Sequence, residues 1–140
     1  MGTRRDARRT AIDILYQGDV TDTDPVQVLG SWRAADREVP PFSEELVTGV
    51  VDHGPGIDLL LAEHAEGWTV ARMTALDRTI LRVAVEELLY RDDVPPSVAI
   101  SEAVEAASDL SAEESRAFIN GVLGRIARDA EGDPRTAPAS

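Results

Sequence analysis

The sequence predicts an all-α fold of about six or seven helices arranged in two small bundles. Three observations carry that prediction. Apolar residues recur at spacings of three and four along most of the chain. No segment alternates apolar and polar residues as a half-buried strand does. Proline and glycine punctuation divides the chain into pieces of helix length. With 140 residues, 43% hydrophobic and 29% charged, the composition is that of a packed domain rather than a disordered chain.

The elements follow in order. Ala7, Ala11, Ile14 and Leu15 give the first helix, over about residues 3–19. Asp24-Pro25 reads as an N-cap followed by proline at the first helical position, opening a second helix through Val28, Leu29 and Trp32. Pro40-Pro41 ends that unit. Ser43 is the next expected cap, with Leu46, Val47, Val50 and Val51 behind it, and Gly54-Pro55-Gly56 is the expected stop. A short helix over residues 57–66 completes the first half, and Gly67 separates the halves.

The strongest periodicity follows. Leu76, Ile80, Ala84 and Leu88 form one row, and Leu81, Val85 and Leu89 form the next, so this helix is expected to be buried over a wide arc. Asp93-Val94-Pro95-Pro96 terminates it. Residues 98–107 resume helical spacing through Ile100, Ala103, Val104 and Ala107. Ser111-Ala-Glu-Glu114 reads as a capping box for a last helix carrying Phe118, Val122, Leu123 and Ile126. Residues 131–140 are expected to form a disordered tail. The pattern leaves a four-helix bundle open as the neighbouring arrangement.

Composition excludes several chemistries. Without cysteine there is no disulfide framework, thiolate zinc site, iron–sulfur cluster or cysteine nucleophile. No apolar run approaches the ~20 residues of a membrane span, and a soluble cytoplasmic protein is expected. The sequence has no nucleophile elbow, phosphate loop or dinucleotide fingerprint. A metal site built on His53 and His64 would need Asp52 or Glu63 as well, and ordinary surface histidines beside carboxylates are the expected reading. Glu86-Glu87 and Asp92-Asp93 are adjacent pairs that diverge by about 100° on a helix, so solvated faces are expected of them. No enzyme is predicted.

Charge is unevenly spread. The net charge is −12, and all 14 basic residues are arginine. Residues 1–16 hold four Arg and two Asp, or +2, whereas the remaining ten Arg and 24 acids make −14. On the first helix Arg5, Arg9 and Tyr16 converge on one stripe, with Arg4 and Arg8 between it and the apolar face. Guanidinium groups beside an aromatic ring suit single-stranded RNA, phosphates taking the arginines and an unpaired base the ring. A merely solvated basic face is the alternative. Thr74-Ala-Leu-Asp77 and Ser111-Ala-Glu-Glu114 place carboxylates where they cap helix amides. Gly121, inside the last helix, suggests either a close approach near Phe118 or a kink.

Several strings then resemble the NusB family in order and spacing. They are Trp68-Thr69, Arg72, Leu76-Asp77-Arg78-Thr79-Ile80-Leu81-Arg82, Glu87-Leu88-Leu89, Val94-Pro95, Glu102-Ala103-Val104 and Phe118-Ile119-Asn120-Gly121-Val122-Leu123. Arg4-Arg5-x-Ala7-Arg8 with Leu15-Tyr16 is similar to that family's opening helix. The resemblance covers residues 4–126. It implies two three-helix subdomains within one domain over 1–130, with halves at about 3–66 and 68–130.

It also implies a transcription antitermination factor without catalysis or cofactor. Such a factor binds boxA-type single-stranded RNA together with the ribosomal protein NusE, and the pair helps RNA polymerase pass termination signals over ribosomal RNA operons. Carried over by position, Arg4, Arg5, Arg8 and Arg9 become phosphate contacts, Tyr16 a base contact, Glu114 and Phe118 parts of the RNA surface, and Asp77 a NusE contact. A homodimeric interaction module of the same fold, its RNA face hidden or lost, is the alternative. NusB-like domains also occur fused to RNA cytosine methyltransferases, but a chain without cysteine lacks the nucleophile for that chemistry. The family commonly has Asn at Ser101, Lys at Ser108 and Asp at Gly124, and each lost lysine near RNA removes about one phosphate contact.

Overall fold

A computed structural model describes residues 3–131 and shows seven α-helices, with no strand among the described residues. They are α1 (Arg4–Thr21), α2 (Pro25–Ala34), α3 (Pro41–Asp52), α4 (Gly54–His64), α5 (Ala75–Tyr90), α6 (Pro96–Leu110) and α7 (Glu113–Glu131), with a 3-10 turn at Val70–Arg72 before α5. The all-α expectation is met. Glu131 closes α7, and the rest of the expected tail, 132–140, lies outside the described residues. No helix among the described residues is long and apolar enough to cross a membrane.

Local chemistry starts these helices where short side chains or proline satisfy the first turn. Thr3 and Asp6 cap α1 reciprocally, the Thr3 hydroxyl accepting from the Asp6 N–H at 3.0 Å. Asp24 accepts from the Val26 N–H at 2.8 Å, with Pro25 behind it as expected. Two expectations are corrected and a third is extended. Ser43 does not cap α3. Pro41 begins that helix two residues earlier, and the buried Ser43 hydroxyl donates to the Ala7 carbonyl on α1 at 2.6 Å. α3 ends at Asp52, just before Gly54-Pro55-Gly56 as expected, but that segment also opens α4, because a proline in the first turn lacks only an N–H that has no helical partner there. Ser111-Glu114 does not form the reciprocal box, since the Ser111 N–H is bonded to the Ala107 carbonyl at 2.9 Å. Between α4 and α5, Gly67 takes a φ of +76°, a region glycine enters without strain.

Helix α5 lies at the centre, packed against α1, α3, α4, α6 and α7. One continuous core draws Ile14, Leu46 and Leu61 from before Gly67 and Ile80, Leu81, Ile119 and Leu123 from after it. The buried positions of α6 are all alanine, namely Ala99, Ala103, Ala106 and Ala107, so its backbone sits close to its neighbours. The wide burial expected of α5 is observed, and it goes further than expected. Glu86 and Glu87 are 3% and 1% exposed rather than solvated. Their roughly 100° divergence sends them to opposite neighbours: Glu86 to His53 at the end of α3, Glu87 to Arg8 on α1. The Glu86 carboxylate fills the space beside Gly49, where an added Cβ would lie 2.1 Å from its Oε1. At Gly121 an added Cβ would meet only the Arg125 guanidinium, at 3.4 Å, so no neighbouring backbone requires that glycine.

Candidate nucleic-acid interface

Two ion pairs fix the course of α1 along α5. Arg8 Nε donates to Glu87 Oε1 at 2.7 Å near one end, and Arg78 Nε donates to Asp19 Oδ2 at 2.7 Å near the other. The helices therefore run antiparallel. Arg4 to Arg9 lie toward the C-terminal end of α5, and Tyr16 lies toward its N-terminal end, where Asp77 stands. Arg4 and Tyr16 are about 18 Å apart along the helix axis at 1.5 Å per residue.

The α1 arginines do not share one environment. Arg8 is buried, and its guanidinium is held against Glu87 and over the Phe42 ring at 5.6 Å. Burial pushes the Glu87 carboxyl above the ordinary range, and Arg8 pulls it back. Arg8 thus fastens α1 to α5 and is not presented to solvent. Arg4 lies over Phe42 at 4.3 Å and pairs with Asp93, whose carboxyl it holds below the ordinary range. Arg5 is held by Glu102 of α6, Nε to Oε2 at 3.0 Å and Nη2 to Oε1 at 3.2 Å. Arg9 donates to Asp109 of α6 at 2.8 Å. Arg5, Arg8 and Arg9, together with Ile12 and Ala99, Ala103 and Ala106 of α6, line the crevice between α1 and α6 above α5. Tyr16 is exposed on the same helix.

A second recess gathers residues distant in sequence. Asp77, Glu114 and Phe118, each expected at a binding surface, line one cleft of about 240 Å³ with Trp68, Arg72, Met73, Thr74 and Ser115. Its buried floor combines the apolar Met73 with the hydrogen-bonded Asp77 and Ser115. The buried Asp77 carboxylate accepts from the Ser111 hydroxyl at 2.7 Å and from the Ser115 hydroxyl at 2.9 Å. Asp77 therefore does not cap backbone amides, and the Thr74 hydroxyl does so by accepting from the Asp77 N–H at 3.1 Å. The rim is aromatic and charged: Trp68, 51% exposed, meets Phe118 edge-on at 6.3 Å, and Arg72 and Glu114 are exposed beside them. Trp68 and Arg72 were not expected at the site from residue chemistry. A tryptophan is normally read as core, and only the surrounding packing shows this one on a rim.

The two histidines are engaged separately. His53 Nδ1 lies 2.8 Å from Glu86 Oε2, and its ring stacks on Tyr90 at 3.7 Å. His64 is buried rather than on the surface, between the Leu60 carbonyl at 2.8 Å and Asp129 at 2.6 Å. Among the described residues no group of three His, Asp or Glu is placed to hold a metal ion.

Fold and surface together define a helical binding protein, with an arginine crevice and an aromatic-rimmed cleft set along one central helix. The chain belongs to the NusB family, whose defining pattern matches residues 5–128. The transcription antitermination protein NusB of Saccharopolyspora erythraea is 53% identical over 131 residues, which span 91% of this chain and 88% of that protein. The solved structure of T. maritima NusB superposes with a TM-score of 0.81 at 32% identity, covering 91% of this chain and 92% of that one. A NusB chain in a crystal structure of antitermination factors NusB and NusE with double-stranded RNA superposes with a TM-score of 0.79 at 25% identity, covering 90% of this chain and 96% of that one.

Proposed function

We propose that this chain is an RNA-binding transcription antitermination factor that takes a boxA-type single strand together with the ribosomal protein NusE and supports ribosomal RNA transcription by RNA polymerase. The observation that carries this reading is the stripe of α1, on which Arg5 and Arg9 precede Tyr16 along a helix whose far end is tied by Asp19 to Arg78, the neighbour of Asp77 in the Trp68–Phe118 cleft. Guanidinium groups take phosphates, and the exposed rings of Tyr16 and Trp68, with the half-buried ring of Phe118, offer stacking faces to unpaired bases. Arg4 and Arg72 extend the cationic edge, and Glu114 borders it. Arg8 contributes by holding α1 in place. A related NusB has been seen with NusE and RNA, and the relatives are named as antitermination proteins rather than as enzymes. The reading is of a cytoplasmic protein that binds and does not catalyse.

The acidic body accounts for the second partner. With −14 outside the first 16 residues, the chain repels a long stretch of nucleic acid and attracts a basic ribosomal protein. Asp77, at the floor of the cleft, is the proposed NusE contact. The test is a fluorescence titration of a boxA-type strand, single and as duplex, with and without NusE, for the wild type and for Arg5→Glu with Tyr16→Ala. Binding of the single strand that strengthens with NusE and collapses in the double variant supports the reading. Unchanged binding in the variant overturns the site. A dimeric scattering mass with no RNA binding would favour the interaction-module alternative.

A further inference from the structure

The two arginines on the exposed stripe of α1 are held by carboxylates in opposite ways. At Arg5 the guanidinium is outermost: its side chain is 55% exposed and that of Glu102 only 17%. Glu102 grips the Nε and Nη2 edge, so the remaining Nη1 donors of Arg5 are left for another acceptor. At Arg9 the order is reversed, the arginine side chain being 26% exposed and Asp109 58%. There the carboxylate makes a single contact from the solvent side, on the approach an incoming anion would use.

Given the RNA-binding reading above, we propose that Glu102 is a positioning residue that presents Arg5 to the first phosphate, and that Asp109 is a built-in competitor that occupies Arg9 until a phosphate displaces it. The two carboxylates differ in what each would lose. A phosphate that pulled Arg5 away would strand Glu102 on the crevice wall with little water to replace the lost partner, so RNA adds to that pair without breaking it. Asp109 is largely solvated, and an exposed pair of this kind is weak and readily exchanged. Once displaced, its charge remains beside the phosphate and opposes binding. Glu105, on the same face of α6, also acts on Arg5 through its charge. It serves as the control for a mere change in field.

The experiment titrates a boxA-type strand, with NusE present, against the wild type, Asp109→Asn, Glu102→Gln, Glu105→Gln and Arg5→Glu, at two salt concentrations. Asp109→Asn should bind about three- to tenfold tighter, with the gain shrinking at the higher salt as the repulsion is screened. Glu102→Gln should bind about tenfold more weakly, and Glu105→Gln should stay within about twofold of wild type. The proposal is overturned if Asp109→Asn fails to tighten binding, if Glu102→Gln tightens it, or if Glu105→Gln matches Asp109→Asn. Asp109 lies on the surface near the end of α6, so its variant keeps the test decisive even if Glu102→Gln unfolds. Wild-type protein that binds no RNA, or Arg5→Glu that binds as wild type does, would instead remove the underlying functional reading.

Discussion

Arg8 on α1 and Glu87 on α5 form a buried ion pair, Nε to Oε1 at 2.7 Å, with side chains 9% and 2% exposed. Removing one member leaves the other charged and unpaired in the interior. Arg8→Ala is therefore expected to cost about 3–5 kcal/mol of stability, and replacing both residues by methionine should recover most of that loss. Denaturant unfolding of the single and double variants checks this, and an Arg8→Ala protein as stable as wild type refutes it. RNA binding by the folded double variant should be retained, since Arg8 faces inward.

Glu86 gives a pH dependence of defined sign. Burial holds its carboxyl above the ordinary Glu value of 4.5, with the His53 bond pulling the other way. The folded state thus keeps its proton to higher pH than the unfolded chain does. This group's contribution to stability is greatest below the ordinary Glu range and falls as pH rises through the raised folded value. Glu86→Gln removes the titration but keeps an oxygen for His53. Relative to wild type, the variant should gain stability between pH 4 and pH 7, as read by thermal melts. A relative loss over that interval would show the sign to be wrong.

Asp77 should separate stability from partner binding. Its carboxylate accepts two serine hydroxyls, so Asp77→Ala is expected to cost about 1–3 kcal/mol. Asp77→Asn keeps one carbonyl acceptor and should cost less while removing the charge. If Asp77 contacts NusE through that charge, Asn weakens NusE binding in a protein that still melts near the wild-type temperature. Equal losses of stability and binding in both variants would assign Asp77 a structural role alone.

Tyr16 should act through its ring. Tyr16→Ala is expected to lose about 1–3 kcal/mol of RNA binding, and Tyr16→Phe little, because stacking needs the aromatic face rather than the hydroxyl. Its exposure of 39% predicts little change in stability for either variant. Affinity and melting temperature measured side by side check both statements.

Much of the fold was legible because its signals are local. Asp24-Pro25 opened α2 where expected, and the two apolar rows of α5 announced its burial. The same angular bookkeeping put Arg5, Arg9 and Tyr16 on one stripe. Errors arose where a local signal had two meanings. Proline after proline and glycine-proline-glycine, read as stops, also serve as starts, at Pro41 and Gly54. Arg8, between the basic stripe and the apolar face by pattern alone, looked like another phosphate-facing arginine. Only the position of α5 made it a buried anchor.

The amino-acid order by itself determined the helical class, most helix boundaries and the gathering of positive charge on the first helix, because each depends on neighbours within a turn or two. Tertiary structure alone decided which charges face water. It buried Glu86 beside Gly49 and His53, joined Asp77 to Ser111 and Ser115, and drew Trp68 against Phe118 to form the cleft. It also set Glu102 beneath Arg5 and Asp109 above Arg9. Those relations join helices far apart in the chain, and their energies depend on burial, which exists only once the helices have packed.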